Sequence, residues 1–367
     1  MTYTARQLNR ATLQRQMLLE REPVDVLTAV ERIVAIQAQE PASPYLALWN
    51  RIEGFDPAEL DAAFASGAIR KASLMRITLH AVTAADHEVF HHAMLPALRA
   101  SRLHDKRFKG MDLTIEQADA LLAHVLEFAR EPREKAEIEK LLHSHVGDVG
   151  QPGVWWALRT YGGLVHAPTG GPWSFGPRPV YRSVPTSPRE RLECLAELLR
   201  RYLSGFGPAT VPDMNQFTML PRASIREALE LLDVVRDGAY FDLPHRTVPD
   251  ADVPAPPRLM PMWDSTLLAY ADRSRIIPEQ YRKLVIRNNG DTLPTLLVDG
   301  YVAGVWRPNE NGGIEATAFH ALGEDQWAGL AEEAQALHKF LGDREPQVYR
   351  RFNRWWAGLP VDDVRIL

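Results

Sequence analysis

At 367 residues the chain exceeds the size at which one hydrophobic core usually stops growing, so two or three modules are expected. Its 46% hydrophobic and 24% charged balance is that of a globular protein, no apolar run approaches the roughly 18–20 residues of a membrane span, and residues 1–6 lack the apolar core of a leader; a cytoplasmic protein is predicted. A formal net charge of −5 excludes nucleic-acid binding by bulk charge, so any such binding must rest on local patches.

Residues 7–20 read as an amphipathic helix. Val24, Leu27, Val30 and Val34 then recur at helical spacing, with Val26 and Ile33 widening the stripe, which predicts a core-facing helix from near Pro23. Gln37 continues that stripe, whereas in a regular helix Gln39 would lie about 200° round from it. Pro41 disfavours the α conformation at Glu40, so the helix is expected to end here and to turn both amides toward one cleft. Two ordinary solvated glutamines would give the same spacing. Tyr45 and Trp49, four apart, fit either a core pair or a surface packed against a nucleotide.

Asp56-Pro57 marks the start of a third helix. Over residues 69–82, Met75, Ile77 and Leu79 alternate with Arg76, Thr78 and His80, predicting a half-buried strand with the latter three on one face, toward a cleft or toward solvent. Three helices followed by a strand pair is the order of a winged helix. The order recurs. Thr114 with Gln117 suggests a capping box opening a helix to about residue 130, with further helices at 136–143 and 154–161. Gly162-Gly163, a short strand and the Gly/Pro-rich stretch 168–179 then read as a wing, near which Arg178 and Arg182 are candidates to hold phosphate. A third copy is expected over 188–243: helices at 189–202, from Pro212, and at 224–232, then a strand at 240–243. Beyond a Pro-rich linker, residues 296–306 predict a hairpin turning at Asp299-Gly300, and 324–342 and 346–358 predict closing helices. The expected organisation is mainly α with short β-hairpins (α+β), in segments 1–110, 111–186, 187–248 and 249–367. A basic cluster of Arg99, Arg102, His104, Lys106, Arg107 and Lys109 is a second candidate phosphate surface, or a solvated face.

Twelve histidines raise the possibility of a metal, and His87 and His91 lie one helical turn apart. No HExxH order or CxxC pair completes a ligand set, so no metal or other cofactor is expected. No GxSxG elbow supports a serine nucleophile, Gly170-Gly171 lacks phosphate-loop spacing, and the single cysteine, Cys194, falls in a helical segment as a structural thiol. Glutamine amides are poor acids and bases, but their carbonyls can hold a water and their NH2 groups can donate.

The phrase at residues 35–41, containing Gln37-Ala38-Gln39, followed by Pro44-Tyr45-Leu46-Ala47-Leu48-Trp49, resembles the AlkZ/YcaQ family of bacterial winged-helix DNA glycosylases, whose motif is Gln, apolar residue, Gln. Residues 259–270 and 272–274 resemble another stretch of that family, and the resemblance runs from about residue 5 to about residue 345. It implies tandem winged helices in a C-shaped molecule. It also implies monofunctional hydrolysis of the N-glycosidic bond with Gln37 and Gln39 as catalytic residues and no lysine Schiff base. The implied substrate is duplex DNA carrying bulky N7-alkylguanine or interstrand crosslinks, in DNA repair or in self-resistance to an alkylating natural product. An N7-alkylated purine is cationic and leaves readily, so the demand falls on orienting water beside the sugar as charge develops. The rival readings are a non-catalytic winged-helix transcription regulator and a metal-dependent hydrolase.

Overall fold

Capping chemistry sets the first helices. The computed structural model describes residues 3–111, 113–147, 151–342 and 344–367. Thr4 and Gln7 form a reciprocal capping box, so the first helix runs Ala5–Arg15, earlier and shorter than the expected 7–20, and it stops before Met17 at φ 55°. Asp25 accepts a hydrogen bond from the Thr28 amide (2.9 Å) and opens the helix Val26–Ile33. That helix ends at Ile33, four residues before Gln37, because Val34 takes φ 76°, an uncommon conformation for a β-branched residue. The helix Pro57–Ser66 begins at the predicted Asp56 cap and closes on Gly67 at φ 78°.

Past Val34 the chain extends, and Ile36–Gln37 forms strand β1. The stretch expected as one strand is a hairpin, β2 (Ile69–Ser73) and β3 (Leu79–Thr83), joined by a 3-10 turn over Met75–Ile77 with Arg76 at φ 52° and Ile77 at φ 60°. With β4 (Arg133–Glu134), β5 (Leu164–Ala167) and β6 (Val180–Ser183), these strands make an antiparallel sheet ordered β1-β3-β2-β5-β6-β4. The first two expected modules therefore share one sheet, joined where Lys71 of β2 pairs with His166 of β5.

Strands β7 (Ala209–Thr210), β8 (Val235–Asp237) and β9 (Tyr240–Asp242) form a small sheet beside the helices Arg191–Phe206, Val211–Thr218 and Arg222–Leu229. The C-terminal segment builds a five-stranded sheet from β10 (Arg258–Met260), β11 (Thr295–Val298), β12 (Tyr301–Pro308), β13 (Ile314–Ala318) and β14 (Asp363–Ile366). Asp299 (φ 48°) and Gly300 (φ 78°) make the predicted two-residue turn between β11 and β12. Glycine is required there, since a β-carbon would lie 2.5 Å from Leu13 Cδ1 and 2.7 Å from Asn9 Oδ1. The helix Glu324–Gly342 occupies its expected span, whereas 346–358 contains only a 3-10 segment, Arg350–Trp356. No helix among the described residues is long and apolar enough to cross a membrane.

The interior forms two apolar clusters that cut across the four expected segments. One joins Leu13, Val30, Ile36, Leu46 and Ala81 to Leu259, Leu296, Trp306 and Trp327 of the C-terminal region. The other joins Ala35, Ala72 and Val82 to Phe90, Val125, Trp155, Tyr202 and Phe217. Ala35 and Ile36 thus face different cores, as successive residues of extended chain must. The glutamine motif lies on this divide.

Candidate active site

Gln37 pairs with His80 across β1 and β3, and the Ala38 amide donates to the Leu79 carbonyl (2.8 Å). The Gln37 side chain is buried at 4% exposure, and its Oε1 accepts from Arg76 Nη2 at 2.9 Å. The same Nη2 lies 3.2 Å from His80 Nε2, while His80 Nδ1 is 3.0 Å from the Thr78 carbonyl. A carbonyl can only accept, so the imidazole proton belongs on Nδ1, leaving Nε2 to accept from the guanidinium. Burial, reinforced by the Arg76 charge, pushes His80 down to about 3 and keeps it neutral. Burial also lowers Arg76, to about 10, with Arg273 adding repulsion. Among the described residues no carboxylate pairs with Arg76, and its Nη1 is buried without a partner. Gln39, two residues on, is exposed, and its Oε1 accepts from the Leu79 amide at 3.1 Å. In both glutamines an obligate donor fixes which end of the amide is oxygen.

Gln39 stands at a cleft of about 500 Å³. Its walls come from residues 40–42, from Lys71 and His166, from Thr169, Trp173 and Phe175, and from residues 345 and 347–351. Lys71 is only 5% exposed, lies over the Phe175 ring (Nζ to centroid 4.4 Å) and has no ion pair among the described residues. Burial pushes it down to about 8. His166 is driven to about 3 by burial, with Lys71 the next contributor. Of the cleft carboxylates, Glu40 pairs with Arg351, and Glu345 accepts from Trp173 Nε1 (2.6 Å). The cleft thus has one uncharged amide, Gln39, at its rim and a lysine without a counter-ion in its wall, while Gln37 is buried outside its lining.

A family model described as DNA glycosylase AlkZ-like matches residues 30–340. The chain belongs to the AlkZ-like DNA glycosylase family. It is a DNA glycosylase, with DNA as substrate. Its fold is similar to a solved structure, Streptomyces sahachiroi DNA glycosylase AlkZ, at a TM-score of 0.79 covering 94% of this chain and 99% of that one. The two are 19% identical, so that likeness speaks to the fold. No curated protein matches the chain.

The glycosylase places its other predicted site residues unevenly. Arg76 and His80 do converge, but through the turn rather than along one strand face, and Thr78 spends its hydroxyl on the Met75 carbonyl (3.1 Å). Tyr45 is fully buried, its hydroxyl held by Asp61 (2.5 Å) and Ser174 (2.7 Å), so its ring has no face for a nucleotide. It instead packs on Trp173 (5.0 Å between centroids), behind the cleft wall. Trp49 packs on Phe340 under Arg21, in a separate depression. The Gly/Pro-rich stretch does not project as a free wing: Trp173 is buried in the first core, and Arg344 ties the Pro172 carbonyl to Asp61. Arg178 stands exposed on this stretch, while Arg182 is half-buried against Gly67 and beside Arg70.

In the basic cluster, Arg99 pairs with Asp119 and Arg107 with Asp105, and Arg102 and Arg107 stack on Trp156, leaving Lys106 and Lys109 exposed. His87 and His91 stack 5.9 Å apart and are held neutral by burial. No group of three metal-ligating side chains converges among the described residues. Cys194 is buried. Sequence reasoning missed Lys71, Arg350 and Arg351 as cleft residues. The pairing that brings Lys71 opposite His166 joins positions 95 residues apart and leaves no local signal.

Proposed function

We propose that this glycosylase hydrolyses the N-glycosidic bond of bulky N7-alkylguanine in duplex DNA, unhooking interstrand crosslinks as well as removing monoadducts. It acts without a cofactor, in the cytoplasm, in DNA repair or in self-resistance to an alkylating agent. The observation that carries this reading is the pair of neutral amides, Gln37 held by Arg76 and Gln39 by the Leu79 amide, of which Gln39 lines an open cleft and Gln37 is buried two residues before it. Amides protonate nothing efficiently, so they suit a leaving group that already carries its charge. The cleft carries Lys71, Arg350 and Arg351 against Glu40 and Glu345 in its walls and is open rather than enclosed, which favours a lesion too bulky or too tethered to be flipped into a closed pocket. The expected segments 1–110, 111–186 and 187–248 would act as tandem winged helices in a C-shaped frame, with the last segment closing it.

The test is incubation with duplexes carrying simple, bulky or crosslinked N7-alkylguanine, following free base and abasic site. Release of modified base from bulky and crosslinked duplexes is expected. Tight DNA binding without base release from any of these duplexes would favour the regulator reading instead.

A further inference from the structure

Both glutamine carbonyls are already committed inward. Gln37 Oε1 is held by Arg76 Nη2 and Gln39 Oε1 by the Leu79 amide. An amide is planar with its oxygen and NH2 on opposite sides, so tying the oxygen to the protein turns the NH2 away from it. Among the described residues neither NH2 has a partner.

The tie at Gln37 is built with unusual acceptors. Arg76 sits in a left-handed turn (φ 52°), its guanidinium is 5.5 Å from the Phe217 ring, and its acceptors are two neutral groups, Gln37 Oε1 and His80 Nε2. A carboxylate in place of His80 would draw the guanidinium into an ion pair and free the amide to rotate. The neutral His80, whose Nδ1 proton goes to the Thr78 carbonyl, keeps Nη2 aimed between ring and amide.

We infer that Arg76, steadied by His80, is a positioning residue that locks Gln37 with its NH2 outward, so that Gln37 and Gln39 act on the lesion as hydrogen-bond donors to the departing purine rather than as carbonyl acceptors for water. This rests on the glycosylase chemistry proposed above. When water oxygen bonds to C1′ and the C1′–N9 bond breaks, its electron pair flows onto the alkylated purine and neutralises its positive charge. The water releases one proton to solvent. Electron density therefore rises at the acceptor atoms of the purine, N3 and O6. Donors placed there gain strength in the transition state, and that gain is what accelerates the step.

Single-turnover excision of an N7-alkylguanine duplex separates the roles. The donor role makes Gln37→Glu as slow as Gln37→Ala, each down roughly tenfold or more, because a carboxylate cannot donate and would pair with Arg76. Arg76→Met is expected to slow the chemical step at saturating enzyme while leaving the Kd for lesion DNA within about threefold. It is also expected to cause no further loss in a Gln37→Ala background, since it acts only through that amide. Arg76→Lys, which can still donate to the carbonyl, should recover part of the Arg76→Met loss. If Gln37→Glu excises near the wild-type rate, or Arg76→Met and Gln37→Ala losses multiply, the inference is overturned. The Gln37→Glu arm stands even if Arg76 variants do not fold. Failure of the wild-type enzyme to release base from any N7-alkylguanine duplex would instead overturn the proposed substrate.

Discussion

Two sets of buried cations in this glycosylase are treated in opposite ways. Arg51 is fully buried, bonded to both Asp264 oxygens (2.9 and 3.0 Å), to Thr266 Oγ1 and to the Ala47 carbonyl, and Arg15 makes a two-pronged pair with Asp242 at 2.7 Å. These pairs clamp the N-terminal helices to segments more than two hundred residues away. Arg76 and Lys71, by contrast, border the glutamine motif with no carboxylate partner among the described residues. A buried cation without a counter-ion is costly, so proteins ordinarily pair it. Where the fold needs only rigidity, it supplies the anion; beside the motif it leaves the cations unmatched. In the function proposed above, charge withheld from the scaffold in this way would favour DNA there despite the net acidity of the chain.

The comparison breaks most visibly at the paired set. Asp264→Ala strands Arg51 and is expected to cost about 3–5 kcal/mol of stability in denaturant melts, with excision per folded molecule unchanged. A loss under 1 kcal/mol would mean that the pair is not a clamp. Next in size, Gln37→Ala or Gln39→Ala should slow single-turnover excision by roughly ten- to a thousandfold, about 1.4–4 kcal/mol of barrier, with melting temperature and DNA affinity little changed. Wild-type rates in both folded variants would remove the motif from the active site.

Acid probes the neutral histidines that accompany the unpaired cations. His80, His87 and His166 are lowered to about 3 and His91 to about 4, chiefly by burial. Below their ordinary value of 6.5 the unfolded chain takes up protons that the native protein refuses, so stability present above pH 6.5 is lost as pH falls toward 3–4. Each such histidine contributes at most about 2 kcal/mol of loss at pH 5. Thermal melts at pH 7 and pH 5 measure it, and equal midpoints would show that these rings are protonated without penalty.

Smaller still is the effect of Lys71→Met. Because Lys71 is lowered from 10.5 to about 8, the unfolded chain binds the extra proton between those values, and native stability falls as pH drops through that window and stays reduced below it. That shift corresponds to roughly 3 kcal/mol at pH 7, partly offset by the lost contact of the ammonium with Phe175, so removing the charge should stabilise the protein there by on the order of 1 kcal/mol while weakening DNA binding. Destabilisation with unchanged DNA affinity would make Lys71 an ordinary packing residue. The smallest expected change is at Arg178, which is exposed on the docked loop. Arg178→Glu should weaken binding less than about tenfold and flatten its salt dependence by about one unit of slope. Arg182, half-buried near Arg70, should respond less, and an unchanged slope for Arg178→Glu would take the loop out of the DNA interface.

What the sequence by itself determined was whatever a few neighbouring residues can satisfy among themselves. The Asp56-Pro57 start, the Thr114 and Gln117 capping box, the Asp299-Gly300 turn and the span Glu324–Gly342 were all readable because their hydrogen bonds and dihedral preferences close within a turn or two of chain. The phrase around Gln37 and Gln39 was readable in the same way, as a short resemblance. The setting of those glutamines was not. Their helical stripe ends at Val34, whose positive φ no propensity announces, and strand β1 exists only because β3 offers its backbone to pair with. Arg76 reached Gln37 through a left-handed turn hidden inside a perfect alternation of apolar and polar residues. Tyr45 fitted a core pair or a nucleotide platform until Asp61 and Ser174 claimed its hydroxyl for the core, and Lys71 met His166 only where two distant hairpins join at the centre of the sheet. Each of these depends on contacts between distant segments, where the partner, rather than the local chain, decides the conformation and the charge state.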